Sequence, residues 1–290
     1  MMNVVERISE GRRYVQAARW HRERIGFVPT MGALHEGHLS LIRAAAADGG
    51  YLVVSIFVNP TQFDDRRDLE AYPRPLEEDL AVCEREGVDL LFAPTPDEMY
   101  PDGPKTTVRV PGMSETMCGA FRPGHFDGVC TVVAKLLAIV QPDVAYFGEK
   151  DAQQLAIVRR VAADLNLPVE IRGCPLIRDP DGLATSSRNV YLSDPQRRRA
   201  LALNRALREA AGAIAGGERD APRLADAVRR QLADAEGVET EYVAVVHPDT
   251  LDGLTVIDDS VLVAAAVRVG TTRLIDNVLL RGLDRPGAGG

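Results

Sequence analysis

The string Pro29-Thr30-Met31-Gly32-Ala33-Leu34-His35-Glu36-Gly37-His38 sets two histidines three residues apart, directly after the apolar run Ile25–Val28. At the start of a helix, that spacing puts both rings on one face of the first turn. Backbone N–H groups and the helix dipole favour an anion there. Two imidazoles in such a place can donate to phosphate oxygens and stabilise charge that builds up during phosphoryl or adenylyl transfer. The same string also reads as a plain helix cap with exposed histidines. Zinc is disfavoured, because the ligands of HExxH stand four apart and this pair lacks a third.

Three further strings carry matching chemistry. In Phe147-Gly148-Glu149-Lys150-Asp151, Lys150 can reach a phosphate and Asp151 can accept ribose hydroxyls; the alternative is an ordinary capped turn. Of Gln153 and Gln154, one can be buried against a ligand, or both can be solvated. In Asn59-Pro60-Thr61-Gln62-Phe63, Gln62 offers a donor and acceptors to a hydroxy acid, unless it is an exposed turn residue. Thr185-Ser186-Ser187-Arg188-Asn189 places hydroxyls beside an arginine, a compact donor set for phosphate. Glu78 and Asp79 are candidates for holding Mg²⁺, or simple partners of a helix dipole. Arg122 and His125 are expected on the rim of the same site, and Arg197-Arg198-Arg199 on a solvated helix face. Gly26, Gly32 and Gly37 do not make GxGxxG, and no GxxxxGK[ST] loop, Ser-His-Asp order or Cys-His pair competes. The convergence favours an ATP-using enzyme without a Walker loop.

The elements that position these residues follow from periodicity. Strands are expected at Ile25–Val28, Tyr51–Val58, Val88–Phe92, Val144–Phe147 and Val169–Arg172, as near-continuous apolar runs suited to a sheet covered on both faces. Helices are expected at about His35–Ala47, Leu76–Arg85, Val129–Val140 and Ala152–Leu165. Alternation of this kind implies an α/β fold with a Rossmann-like, doubly wound parallel sheet over residues 1–176. Beyond a Pro/Asp/Gly cluster come two amphipathic helices, Gln196–Ile214 and Ala221–Ala235. The β-rich stretches Tyr242–Val246 and Val261–Leu280 follow, the latter broken at Gly270-Thr271-Thr272. Residues 177–290 are therefore read as a smaller C-terminal α+β lid domain carrying the Ser186–Asn189 loop, with Arg285–Gly290 a frayed tail.

The chain has 290 residues, 42 acidic against 34 basic, and a formal charge of −8, with 46% hydrophobic residues. That is ordinary for a folded chain and excludes wholesale disorder. The acidic balance disfavours a nucleic-acid partner. No apolar run nears the ~20 residues that span a bilayer, and Met1–Ala17 has no secretory h-region, so a cytoplasmic protein is expected. Cys83, Cys118, Cys130 and Cys174 form no CxxC and read as buried free thiols.

His35-Glu36-Gly37-His38 resembles the HIGH signature, and Ser186-Ser187-Arg188 a degenerate KMSKS loop, of the class I nucleotidyltransferase superfamily. More closely, PTMGALHEGH, IFVNPTQF, RPGHFDGV, FGEKDAQQL and SSRNVYLS, in this order, resemble the pantoate–β-alanine ligase family. The resemblance implies a two-step ligation in which pantoate and MgATP give pantoyl adenylate and pyrophosphate, and β-alanine then gives pantothenate and AMP. It implies ATP contacts from Met31, Gly32, His35 and His38, with His38 the proton donor to the leaving group. Gly148, Lys150 and Asp151 would hold ribose and phosphates, Thr185, Ser186, Ser187 and Arg188 would clamp phosphates, and the Ile177 backbone would meet adenine. His35, Lys150 and Arg188 join His38 as the catalytic set. Gln62 and Gln154 would hold pantoate, and β-alanine would enter near Gln62. Magnesium, with Asp79 as its protein ligand, and a homodimer are implied too. The chain departs from the family pattern at Glu78, Asp127, Ala152 and Thr185. Another adenylyltransferase acting on a phosphate acceptor, and a non-catalytic nucleotide-binding module, are the competing readings.

Overall fold

A computed structural model describes residues 1–283. The strands are β1 (Asn3–Val5), β2 (Ile25–Thr30), β3 (Tyr51–Ile56), β4 (Leu90–Phe92), β5 (Val144–Gly148), β6 (Glu170–Cys174), β7 (Val238–Val246), β8 (Ser260–Val269) and β9 (Thr272–Arg281). The helices are α1 (Ile8–Trp20), α2 (Glu36–Ala47), α3 (Arg66–Ala71), α4 (Leu76–Arg85), α5 (Pro96–Met99), α6 (Cys118–Phe121), α7 (His125–Val140), α8 (Ala152–Asp164), α9 (Asp194–Ala215) and α10 (Ala221–Ala233).

Two compact units emerge. The first comprises Met1–Ser114, Arg122–Glu149 and Ile157–Pro175. The second comprises Glu115–Phe121, Lys150–Ala156 and the chain from Leu176 onward. Two short pieces before residue 176 thus belong with the C-terminal half, a division that a single cut does not express. One reason is visible at Gln153, whose buried side chain accepts from Cys118 N (3.0 Å) and donates to Thr116 O (2.8 Å), fastening one piece to the other.

The first unit is a six-stranded parallel sheet in the order β1-β4-β3-β2-β5-β6. Chain order reverses between β2 and β5, and in such sheets the crevice beyond the carboxyl ends at that switch point is where ligands bind. Ile25, Phe27, Val28, Val53 and Val54 are fully buried, as continuous apolar runs of a two-sided sheet require. β1 and α1 escaped the sequence reading. A three-residue edge strand carries almost no periodicity, and α1 buries only Gly11, Val15 and Ala18 among exposed charges. The strand expected to start at Val88 starts at Leu90, and α7 begins at His125 rather than Val129.

In the second unit, β7-β8-β9 form an antiparallel sheet with β8 central and almost wholly buried. Its apolar side chains pack with Leu203, Leu207 and Ile214 of α9 and Leu224, Val228 and Leu232 of α10. α9 starts two residues earlier than expected because Ser193 and Gln196 make a reciprocal capping box with Pro195 in the first turn. All four cysteines are buried free thiols, and no described helix is long and apolar enough to cross a membrane.

Candidate active site

In the first unit, β2 ends at Thr30, whose hydroxyl donates to Ser55 O (2.8 Å) on β3 and accepts from Gly32 N (3.1 Å). The chain then turns through two left-handed residues, Gly32 (φ +79°) and Ala33 (φ +50°). At Gly32 a Cβ would sit 2.9 Å from both Asp79 Oδ2 and Ile56 Cγ2, so only glycine fits. The turn aims the N–H groups of Ala33 and Leu34 at one carboxylate, Asp79, at 2.8 Å each. Burial, the largest influence, pushes the Asp79 carboxyl above its ordinary value against the pull of those two bonds.

Asp79 therefore does not present itself as a magnesium ligand: both oxygens are committed to backbone N–H groups inside the fold. Among the described residues no group of three or more His, Cys, Asp or Glu is arranged to hold a metal ion. The described residues thus offer no ready-made cage of protein donors for a cation.

Beyond the turn, His35 is the N-cap of α2 and its Nδ1 accepts from Gly37 N (3.2 Å). His38 Nδ1 accepts in return from His35 N (3.3 Å), a capping box built from two histidines. The ring centroids lie 4.1 Å apart. Because both Nδ1 atoms accept, each neutral ring carries its proton on Nε2. The cap reading and the phosphate-donor reading are thus compatible: capping orders the rings and fixes their tautomer at a helix N-terminus. Gly37 is part of this order, since a Cβ there would stand 2.9 Å from His35 Cε1.

Gln62 closes a 3₁₀ turn after β3 and is buried, not an exposed turn residue. Its Nε2 lies 3.1 Å from Met31 Sδ, and its Oε1 accepts from Asn59 Nδ2 (3.0 Å), which bring Met31, Gln62 and Asn59 together. Asn59 is almost fully buried, also donates to Gly128 O (3.2 Å), and accepts from Thr61 Oγ1 and the Tyr100 hydroxyl, each at 3.0 Å. The sequence reading assigned Asn59 no role, because its distant partners carry no local signal. Arg122 and His125, expected on a rim, both hold the Gln62 carbonyl. Arg122 Nη2 donates to it at 3.2 Å and His125 Nδ1 at 2.7 Å. Asp64 binds Arg122 in turn, at 2.8 and 3.0 Å.

Gly148 ends β5, on the other side of the switch point from β2, and a Cβ at Gly148 would meet nothing within 4 Å.

The remaining expected residues lie in the second unit. Lys150 is half-buried, and its carbonyl accepts from Asn277 Nδ2 (3.0 Å) on β9. Asp151 is exposed, and Gln154 is half-buried on the first turn of α8. Thr185 N donates to Ile177 O (3.0 Å), joining those two positions. Ser186 caps a 3₁₀ turn over Ser187–Tyr191 by accepting from Arg188 N (3.3 Å), and Ser186, Ser187 and Arg188 are half-buried.

The family model for pantoate–β-alanine ligase matches residues 3–279. The chain belongs to that family. It is 51% identical over 278 residues to the pantothenate synthetase of Thermoanaerobacter sp. (strain X514), covering 96% of this chain and 98% of the relative. A crystal structure of pantothenate synthetase from Thermus thermophilus superposes with a TM-score of 0.90 at 46% identity, over 96% of this chain and 99% of the other. A Francisella tularensis pantoate–β-alanine ligase, solved with βγ-ATP and β-alanine, gives a TM-score of 0.78 at 33% identity, over 96% and 98%. The chain is thus an enzyme of the pantoate–β-alanine ligase family, with a parallel six-stranded α/β sheet and a small antiparallel sheet.

Proposed function

We propose that this ligase joins pantoate to β-alanine at the expense of ATP through pantoyl adenylate. A pantoate carboxylate oxygen attacks the α-phosphorus; the bond to the bridging oxygen breaks, and pyrophosphate leaves with that electron pair. The β-alanine nitrogen then attacks the acyl carbon, the acyl–oxygen bond breaks, AMP leaves with its electron pair, and the ammonium proton is lost to solvent. The observation that carries this reading is the histidine capping box at the end of β2, at the sheet's switch point. It offers two Nε2–H donors to phosphate oxygens with no reorganisation at the moment of reaction.

In this reading His38 supplies the hydrogen bond or proton that the leaving pyrophosphate needs, and His35 and Lys150 stabilise the phosphate charge beside it. Met31, Gly32, Gly148, Asp151, Ile177 and Thr185 shape the nucleotide site, and Ser186, Ser187 and Arg188 of the second unit clamp the phosphates. Gln62, held rigidly from its own carbonyl, meets the hydroxyls and carboxylate of pantoate with Gln154, and β-alanine enters beside it. Magnesium would enter as part of the MgATP substrate, where it would offset charge on the phosphates. A cytoplasmic homodimer completes the reading, and sedimentation velocity tests the dimer.

The deciding experiment is exchange of labelled pyrophosphate into ATP without β-alanine. Exchange that requires pantoate, followed by AMP release once β-alanine is added, supports the two-step ligation. Folded, nucleotide-binding protein without exchange overturns it.

A further inference from the structure

Asp179 lies at the start of the loop that carries Ser186, Ser187 and Arg188, and it gathers three side chains. Its Oδ1 accepts from Thr185 Oγ1 at 2.6 Å; its Oδ2 accepts from Asn189 Nδ2 at 3.2 Å and from Arg197 Nη2 at 2.7 Å. Thr185 and Asn189 are the residues immediately before and after Ser186-Ser187-Arg188. One carboxylate thus pins both feet of a three-residue arch. The backbone reinforces it: Asp179 N donates to Leu183 O (2.8 Å), and Asn189 Nδ2 also reaches Ala184 O (3.1 Å). Arg197 is not on a solvated face like Arg198 and Arg199. From the first turn of α9 it bridges Asp179 and Asp181, the latter at 2.7 and 3.0 Å. The arch is thereby fastened to a 22-residue helix whose other face lies in the unit's core.

We infer that Asp179, backed by Arg197, is a positioning residue for adenylation: it holds the Ser186–Arg188 arch in the shape that meets the nucleotide phosphates. The inference rests on the reading of that arch as a phosphate clamp. Neither residue touches a reacting atom. Each acts by removing conformational freedom the arch would otherwise lose on binding, and loss of such order is worth up to about 100-fold in rate.

The test is a double-mutant cycle in the pantoate-dependent pyrophosphate exchange assay with full-length protein. Asp179→Asn keeps the volume and the acceptor for Thr185, but sets an amide group against the Asn189 and Arg197 donors. Exchange is expected to fall about 10- to 100-fold with the pantoate KM within twofold. Arg188→Ala is expected to fall at least as far. In the Arg188→Ala background, Asp179→Asn should cost no more than about threefold, because Arg188 carries the charge by which the arch grips the phosphates and placing Ser186 and Ser187 adds little without it. Independent losses that multiply, or Asp179→Asn activity within threefold of wild type, overturn the inference. If Arg188→Ala itself stays within threefold, the clamp reading fails and takes the inference with it. Should Asp179→Asn not fold, Arg197→Gln enters the same cycle. A loss of about 3- to 30-fold that vanishes beside Arg188→Ala supports the inference, and one that persists there overturns it.

Discussion

In the proposed reaction His38 has one job for each ring nitrogen, and substitution can separate them. Asparagine places an acceptor near the Nδ1 position, so His38→Asn retains a partner for the His35 N–H but has no donor where Nε2 stands. The expected result is a melting temperature close to wild type with kcat reduced about 10²–10³-fold, read by thermal melting beside steady-state kinetics. Parallel loss of both would make His38 a structural cap and nothing more. Asp79 poses the converse question. Asp79→Asn turns an amide NH₂ toward one of two backbone N–H groups, leaving a buried donor without an acceptor at a cost of about 1–3 kcal/mol. The expected signature is a lower melting temperature and lower kcat with an unchanged magnesium concentration for half-maximal rate. A large shift in that concentration would restore Asp79 as a metal ligand. The sequence made the histidines legible, because spacing on a helix is local information. It hid the role of Asp79, whose partners stand 45 and 46 residues away and are backbone groups without a residue-type signature.

At the scale of elements, α7 and the Pro60–Gln62 turn meet through Gly128. A Cβ on Gly128 would lie 2.3 Å from Thr61 O and 2.7 Å from Gln62 Cα, both backbone atoms that cannot swing aside. Gly128→Ala must therefore push the turn away from the helix, and with it Gln62, whose carbonyl is held by Arg122 and His125 from the same end of α7. The pantoate KM is expected to rise about tenfold while the ATP KM moves by less than twofold, a displacement of about an ångström being enough. Equal changes in both constants would detach the turn from pantoate. The apolar stripe of α7 was readable because Val129, Val132, Val133, Leu136, Leu137 and Val140 recur at helical steps and are all buried. The role of Gly128 was not, since a glycine inside a helix reads only as a weak helix former. The parallel sheet was legible through β2, β3 and β5, whose buried runs need no partner to be recognised. β1 was not, because its pairing with β4 is a tertiary fact.

For the whole molecule, the two units carry their titration risks differently, and the signs predict the shape of stability against pH. Asp64 in the first unit and Asp179 and Asp181 in the second hold their carboxyls below the ordinary value. Burial opposes the shift and is the largest single influence at Asp64 and Asp179, but bonds from Arg122, and from Thr185, Arg197 and Asn189, outweigh it. At Asp181 the Arg197 hydrogen bond leads. A depressed folded value means that the stabilisation is complete above the unfolded value and is lost as pH falls through the folded one. The acid limb therefore opens below about pH 4 and involves both units. The alkaline limb has the opposite sign. Burial raises the thiols of Cys83 and Cys130, both in the first unit, from 9.0 to about 12. Their contribution is complete below the unfolded value and disappears as pH rises toward the folded one, at about 1.4 kcal/mol per pH unit for each thiol. Urea midpoints followed by circular dichroism should be flat from neutral pH to about 8 and fall from about 9 upward. The Cys83→Ala, Cys130→Ala double variant should be less stable at neutral pH, from the volume it loses, yet decline less steeply above pH 9. A decline as steep as wild type would show that the two thiols ionise alike in the folded and unfolded states, or that other groups, such as the raised Tyr51, set the alkaline limit.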